Sequence, residues 1–131
     1  MSTRAESLPH RILLIVEDDL ASRKFLRLIL EKKNFSIIEA VTGEEALALM
    51  DGQNVDGLLL DIALGAGLSG LDLGSTLKED LVDAKVPMIA ITAFDRDSLG
   101  DIDARGFTGY VQKPYHPQDL WSILDQQVPA K

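Results

Sequence analysis

Three consecutive leucines closed by a carboxylate, Leu58-Leu59-Leu60-Asp61, constrain this chain more than any other feature. The run is too apolar for a strand with one face in water and too short for a helix. It reads as a strand buried on both faces, the mark of a parallel sheet covered by helices. A carboxylate at the carboxyl end of such a strand stands at the rim where open α/β sheets hold their ligands.

Other runs end in the same way. Arg11–Val16 (RILLIV) leads into Glu17-Asp18-Asp19, and Pro87–Thr92 (PMIAIT) ends on Thr92, with Pro at a tolerated first position. Thr108–Gln112 (TGYVQ) leads into Lys113, and Ser36–Ala40 completes a set of five strands. The last two named are the least apolar and belong at sheet edges. Between the first two strands in the chain, Ser22, Phe25, Leu26, Ile29, Leu30 and Lys33 follow helical spacing, with Arg23, Lys24, Arg27 and Glu31 opposite. Leu28 falls outside this stripe, exposed, and Asn34 ends the helix. Thr42-Gly43-Glu44-Glu45 and Ser69 with Asp72 are capping patterns. The first opens a helix through Met50, the second one with Leu73, Leu77 and Leu81 on one face.

Asp95 to Ala104 makes a poor fourth helix, with Gly100 inside and several Asp residues competing for the backbone. His116-Pro117 reads as N-cap and N1 of a last helix that turns Leu120, Leu124 and Val128 inward. Five strand–helix alternations specify an α/β fold with right-handed crossovers and helices on both faces. The edge assignment fits a flavodoxin-like, doubly wound five-stranded parallel sheet of order 2-1-3-4-5. In that order the first and third strands are neighbours, which brings Glu17, Asp18 and Asp61 together.

Composition narrows the function classes. A chain of 131 residues reads as one domain over 11–128, after a flexible polar lead-in over 1–10 and with no output domain following. The net charge of -8 argues against nucleic-acid binding, which rests on Lys and Arg at phosphates. The absence of cysteine excludes disulfides and thiolate metal sites and fits a reducing cytoplasm. No apolar run approaches a membrane span, and the first residues lack a signal-peptide core.

Three converging carboxylates repel one another and raise one another's pKa until a cation relieves them. Oxygen ligands without His or Cys favour a hard ion, Mg²⁺ before Ca²⁺ or Mn²⁺. A carboxylate beside such an ion can attack a phosphoryl donor and form an acyl phosphate. Lys113 can supply positive charge to the phosphoryl oxygens and Thr92 a hydroxyl hydrogen bond. Asp19 is read as a helix N-terminal residue rather than a metal ligand.

Taken together, ILLIVEDD, LLLD, SGLDL, ITA and QKP stand in order at spacings that resemble the receiver domain of two-component response regulators, over nearly all of 11–128. The resemblance implies the same strand order, so the topology is not an independent derivation. It implies Asp61 as phosphoacceptor, with Asp18, Glu17 and the main-chain carbonyl of Ala63 holding Mg²⁺ beside it. Thr92 and Lys113 would bind the phosphoryl group, Lys113-Pro114 would be cis, and Tyr110 would be the aromatic that swings inward as Thr92 moves. Such a domain is no enzyme beyond its own phosphorylation and dephosphorylation. Its partner would be a histidine kinase or histidine phosphotransfer protein, reached through the first helix and its exposed Leu28. It would act as a stand-alone cytoplasmic receiver, a monomer or phosphorylation-dependent dimer, signalling through another protein. Alternatives are a phosphorelay intermediate and an interaction module that is never phosphorylated.

The sequence departs from the family at Gly65, where Pro is usual, and in a loop to Ser69-Gly70 that is one residue longer. That loop is expected to be more mobile. Trp121 lies one position off the inward stripe of the last helix; it either marks a partner surface with Tyr110 or fills a gap beside the fourth helix. A phosphohydrolase would want a second Asp two residues after Asp61, where Ala63 stands. A flavin binder would not place Glu17-Asp18-Asp19 where a phosphate must sit.

Overall fold

The computed structural model describes residues 11–51, 54–63 and 69–129, with the side chains of 79–84 set aside. The expected lead-in, the loop around Gly65 and Gly67, and the Leu81 side chain therefore lie outside the described residues. The strands are β1 (Arg11–Val16), β2 (Phe35–Ala40), β3 (Gly57–Asp61), β4 (Met88–Thr92) and β5 (Gly109–Gln112), all parallel in the order β2-β1-β3-β4-β5. The helices are α1 (Leu20–Glu31), α2 (Gly43–Met50), α3 (Gly70–Ala84) and α4 (Pro117–Gln127).

Alternation along each central strand divides the core in two, as period-2 geometry requires. Leu14, Val16, Leu58, Leu60, Met88 and Ala90 face α2 and α3, where Ala46, Leu73 and Leu77 meet them. Leu13, Ile15, Leu59, Ile89 and Ile91 face α1 and α4, against Leu26, Ile29, Leu30, Leu120 and Leu124. Both faces of β3 and β4 are buried along their whole length. The triple leucine is thus the consequence of helices on both sides of a central strand.

The helix signals act as read. Asp19 caps α1 by accepting from the Ser22 amide at 2.8 Å, and Asn34 follows with φ of 66°. Thr42 accepts from Glu45 N, and Ser69 Oγ accepts from Asp72 N. His116 Nδ1 accepts from Gln118 N while Asp119 accepts from His116 N, closing the cap of α4.

Three expectations are corrected. The fourth helix is reduced to a 3-10 turn, Arg96–Leu99: Asp95 caps its start by accepting from Ser98 N, but Gly100, at φ 74°, leaves the helical region and Asp101 takes the Ala104 amide that a continuing helix would use. Phe25 does not face the core; it is 42% exposed and lies against Tyr115, ring centroids 6.2 Å apart. Trp121, expected beside Tyr110 or the fourth segment, is separated from Tyr110 by the sheet. It packs on the α1 face of the sheet, its Nε1 donating to the Ile29 carbonyl at 2.9 Å, while Tyr110 packs on the opposite face. Leu28 is 56% exposed, as expected.

Candidate functional site

The strand register staggers the candidate residues around one point. Val16 pairs with Leu60, Asp61 with Ile91, and Thr92 with Gln112. Glu17, Asp61, Thr92 and Lys113 therefore end neighbouring strands at nearly the same height. Parallel strands have no choice but to deliver their carboxyl ends to one rim.

Among the described residues, the buried polar side chains are Glu17, Asp61 and Thr92. A core this apolar admits charged groups only where partners compensate them. Lys113 Nζ lies 2.8 Å from Glu17 Oε1 and 3.5 Å from Asp61 Oδ2. Asp61 Oδ1 accepts from the Ala63 amide at 3.0 Å, and Glu17 Oε2 from the Asp19 amide at 3.3 Å. Carboxylate oxygens of Glu17, Asp18 and Asp61 fall within 4.8 Å of one another, with Asp18 exposed. Among the described residues one ammonium faces these three carboxylates, so negative charge is in excess when all three are ionised.

The electrostatics show the same excess. Burial, helped by the neighbouring Asp61, pushes the Glu17 carboxyl up to about 7, despite the opposing pull of Lys113. Burial pulls the Lys113 ammonium down, but the bond to Glu17 and the charge of Asp61 outweigh it and hold the group above its usual value. A divalent, oxygen-seeking cation fits this donor set: two buried carboxylates, one exposed, and unbalanced charge.

Thr92 and Tyr110 converge on one residue from two sides. Thr92 Oγ1 accepts from the Phe94 amide at 3.2 Å, and the Tyr110 hydroxyl donates to the Phe94 carbonyl. Phe94 itself is 52% exposed. The peptide Lys113-Pro114 is cis. Beside Lys113, a shallow apolar depression of about 350 Å³ opens between Ser22, Phe25, Ala93, Pro114 and Tyr115.

The sequence pattern missed Arg23. Helical spacing places it opposite the apolar stripe, yet its side chain is only 14% exposed and bonds Glu39 and the Glu17 carbonyl. The available signal was Glu39, an acid in an otherwise apolar strand, facing arginines one helical turn apart.

A family model for the response regulator receiver domain matches residues 13–125. The transcriptional regulatory protein YvrH of Bacillus subtilis is 32% identical over 109 residues, covering 82% of this chain and 45% of that protein. An uncharacterised 14.6 kDa protein of Leptolyngbya boryana is 30% identical over 122 residues, 92% of each chain. The solved receiver domain (CheY-like) from Methylobacillus flagellatus matches with a TM-score of 0.79 at 27% identity, covering 90% of this chain and 98% of that one. The chain spans about half the length of the first curated relatives it matches. Among the described residues no helix is long and apolar enough to cross a membrane.

Proposed function

The chain belongs to the response regulator receiver domain family, and on that premise we propose that Asp61 accepts a phosphoryl group from a histidine kinase or histidine phosphotransfer protein. The observation that carries this reading is the convergence of Glu17, Asp18 and Asp61 within 4.8 Å, with Lys113 against two of them. Glu17, Asp18, Asp61 and the Ala63 carbonyl would hold Mg²⁺. A bound Mg²⁺ neutralises the carboxylates and the oxygens of the transferring group.

The remaining steps belong to this chain's own side chains. A carboxylate oxygen of Asp61 attacks the phosphorus of the donor phosphohistidine; the P–O bond forms as the P–N bond breaks, and its electron pair leaves with the imidazole. Lys113 turns its ammonium from the carboxylates to the phosphoryl oxygens, and Thr92 donates its hydroxyl to one of them. Thr92 also accepts from the Phe94 amide, so any movement of its hydroxyl toward the phosphoryl group pulls on Phe94, whose carbonyl anchors Tyr110. The same backbone residue thus links the phosphoryl cradle to the β5 surface, and the shift biases which surface a protein partner meets. The donor imidazole approaches over the apolar depression beside Phe25 and Tyr115.

The test is intact-mass spectrometry after incubation with acetyl phosphate. One added phosphoryl group that requires Mg²⁺ supports the reading, whereas no adduct from acetyl phosphate or from a phosphohistidine donor refutes it.

A pH dependence follows from Glu17. Its pKa in the folded protein is raised, so below about 7 a proton occupies the charge that the cation would neutralise. Apparent Mg²⁺ affinity is expected to level off above that pH and to fall by up to about tenfold per pH unit below it. Titration calorimetry reads this directly. Affinity unchanged between acid and neutral pH would remove Glu17 from the site.

A further inference from the structure

We propose that Arg23 is a positioning residue for the cation site, holding the peptide between Glu17 and Asp18 in the one orientation that turns both carboxylates toward Asp61. The inference rests on the phosphoacceptor reading and names a residue outside the acidic cluster that the cluster depends on.

Glu17 and Asp18 sit where β1 leaves the sheet, and nothing in a strand terminus fixes which way two successive side chains point. Lys113 and the Asp19 amide hold the Glu17 carboxylate itself, and two further contacts fix the backbone of residue 17. The Glu17 amide donates to the Ala40 carbonyl of β2 at 3.1 Å, which prolongs the ladder by one residue. The Glu17 carbonyl, directly before Asp18, accepts from Arg23 Nη1 at 3.0 Å. With both ends of residue 17 tied, its side chain is committed to the buried side, and the plane that leads into Asp18 is set.

Arg23 is itself held. Its Nε donates to Glu39 Oε1 at 2.9 Å, and its N–H donates to the Asp19 carbonyl at 2.9 Å within α1. A guanidinium presents donors in two directions from one rigid plane, so it can grip an acid on β2 and a carbonyl on β1 at once; an ammonium cannot copy that geometry. Arg27 supplies an internal control. It bonds the same Glu39 from the next turn of α1, but its other hydrogen bonds among the described residues go to Glu31 and the Ile37 carbonyl rather than to the acidic loop. Removing either arginine loosens Glu39; of the two, only Arg23 holds the Glu17 carbonyl.

Partners that orient metal ligands typically cost 10- to 100-fold in metal affinity when lost. Arg23→Gln is therefore expected to weaken Mg²⁺ binding by about tenfold or more, with Arg27→Gln near wild type and Arg23→Lys between them. Calorimetric Mg²⁺ titration is paired with amide NMR shifts of residues 17–19 in the metal-free protein, which should move in Arg23→Gln and not in Arg27→Gln. Arg23→Gln binding like wild type, or both glutamine variants weakened alike, would overturn the proposal; should Arg23→Gln not fold, the same comparison between Arg23→Lys and Arg27→Lys decides it. A wild type that binds no Mg²⁺ overturns the phosphoacceptor reading instead, so the two failures are distinct.

Discussion

Asp61→Asn is expected to abolish phosphoryl acceptance outright and, in the absence of metal, to make the protein more stable. The first effect follows from replacing the attacking oxygen by an amide that cannot form an acyl phosphate. The second follows from charge. Asp61 is buried beside Glu17, and the pair share one ammonium. The Glu17 carboxyl, raised from 4.5 to about 7, stabilises the fold only while protonated; that contribution is full below pH 4.5 and gone above 7. Asparagine keeps the oxygen that accepts from the Ala63 amide, removes one negative charge and leaves Lys113 to Glu17. At neutral pH the gain should be about 1 kcal/mol, the order of a one-unit pKa relief, and added Mg²⁺ should stabilise the variant less than wild type. Denaturant unfolding with and without Mg²⁺ measures both. A metal-free variant less stable than wild type would mean that Asp61 is a structural partner rather than a strained acceptor.

Gly70→Ala should be the most damaging change of a single methyl group. A Cβ at Gly70 would lie 2.3 Å from the Asp61 carbonyl oxygen and 2.7 Å from Ile62 Cα, backbone that cannot rotate aside. The N-terminus of α3 is pressed onto the chain leaving β3, with Gly70 N donating to the Ile62 carbonyl at 3.3 Å. Either α3 lifts off or the acceptor strand end moves. The expected loss is on the order of 3 kcal/mol or more, with phosphorylation lost in whatever remains folded. Gly74→Ala, on the next turn, would meet the Phe107 ring at 2.6 Å, a side chain that can shift, and should cost less while leaving the acceptor intact. Gly70→Ala within about 0.5 kcal/mol of wild type and normally phosphorylated would show that this contact is not tight.

Why the sequence spoke so clearly about the site is itself physical. In a parallel sheet each strand's carboxyl end arrives at the same rim, so reading the residue after each apolar run reads the site. The rim position of Glu17, Asp61, Thr92 and Lys113 was legible on that ground, and the two less apolar strands marked the sheet edges, while the order of the central strands came from the family resemblance. Contacts made across the fold were not. Trp121 sits one position off a helical stripe, and only the placement of α1 decides that its indole reaches the Ile29 carbonyl. Arg23 looks solvated on a helical wheel and is drawn inward by Glu39 on β2, a pairing that no local window contains. The segment from Asp95 to Ala104 carried its own warning in Gly100, whose positive φ ends the turn, and in Asp101, which takes the Ala104 amide.

A phosphoryl group accepted by Asp61 would sit on its carboxylate as an acyl phosphate, which hydride can reduce. Borohydride reduction converts an aspartyl phosphate to homoserine, so reduction after phosphorylation followed by peptide sequencing by mass spectrometry reads the acceptor directly. Homoserine is expected at position 61, dependent on Mg²⁺ and on the donor. Homoserine at Asp18 or another acid, or a phosphoryl adduct that survives reduction unchanged, would contradict acceptance by Asp61.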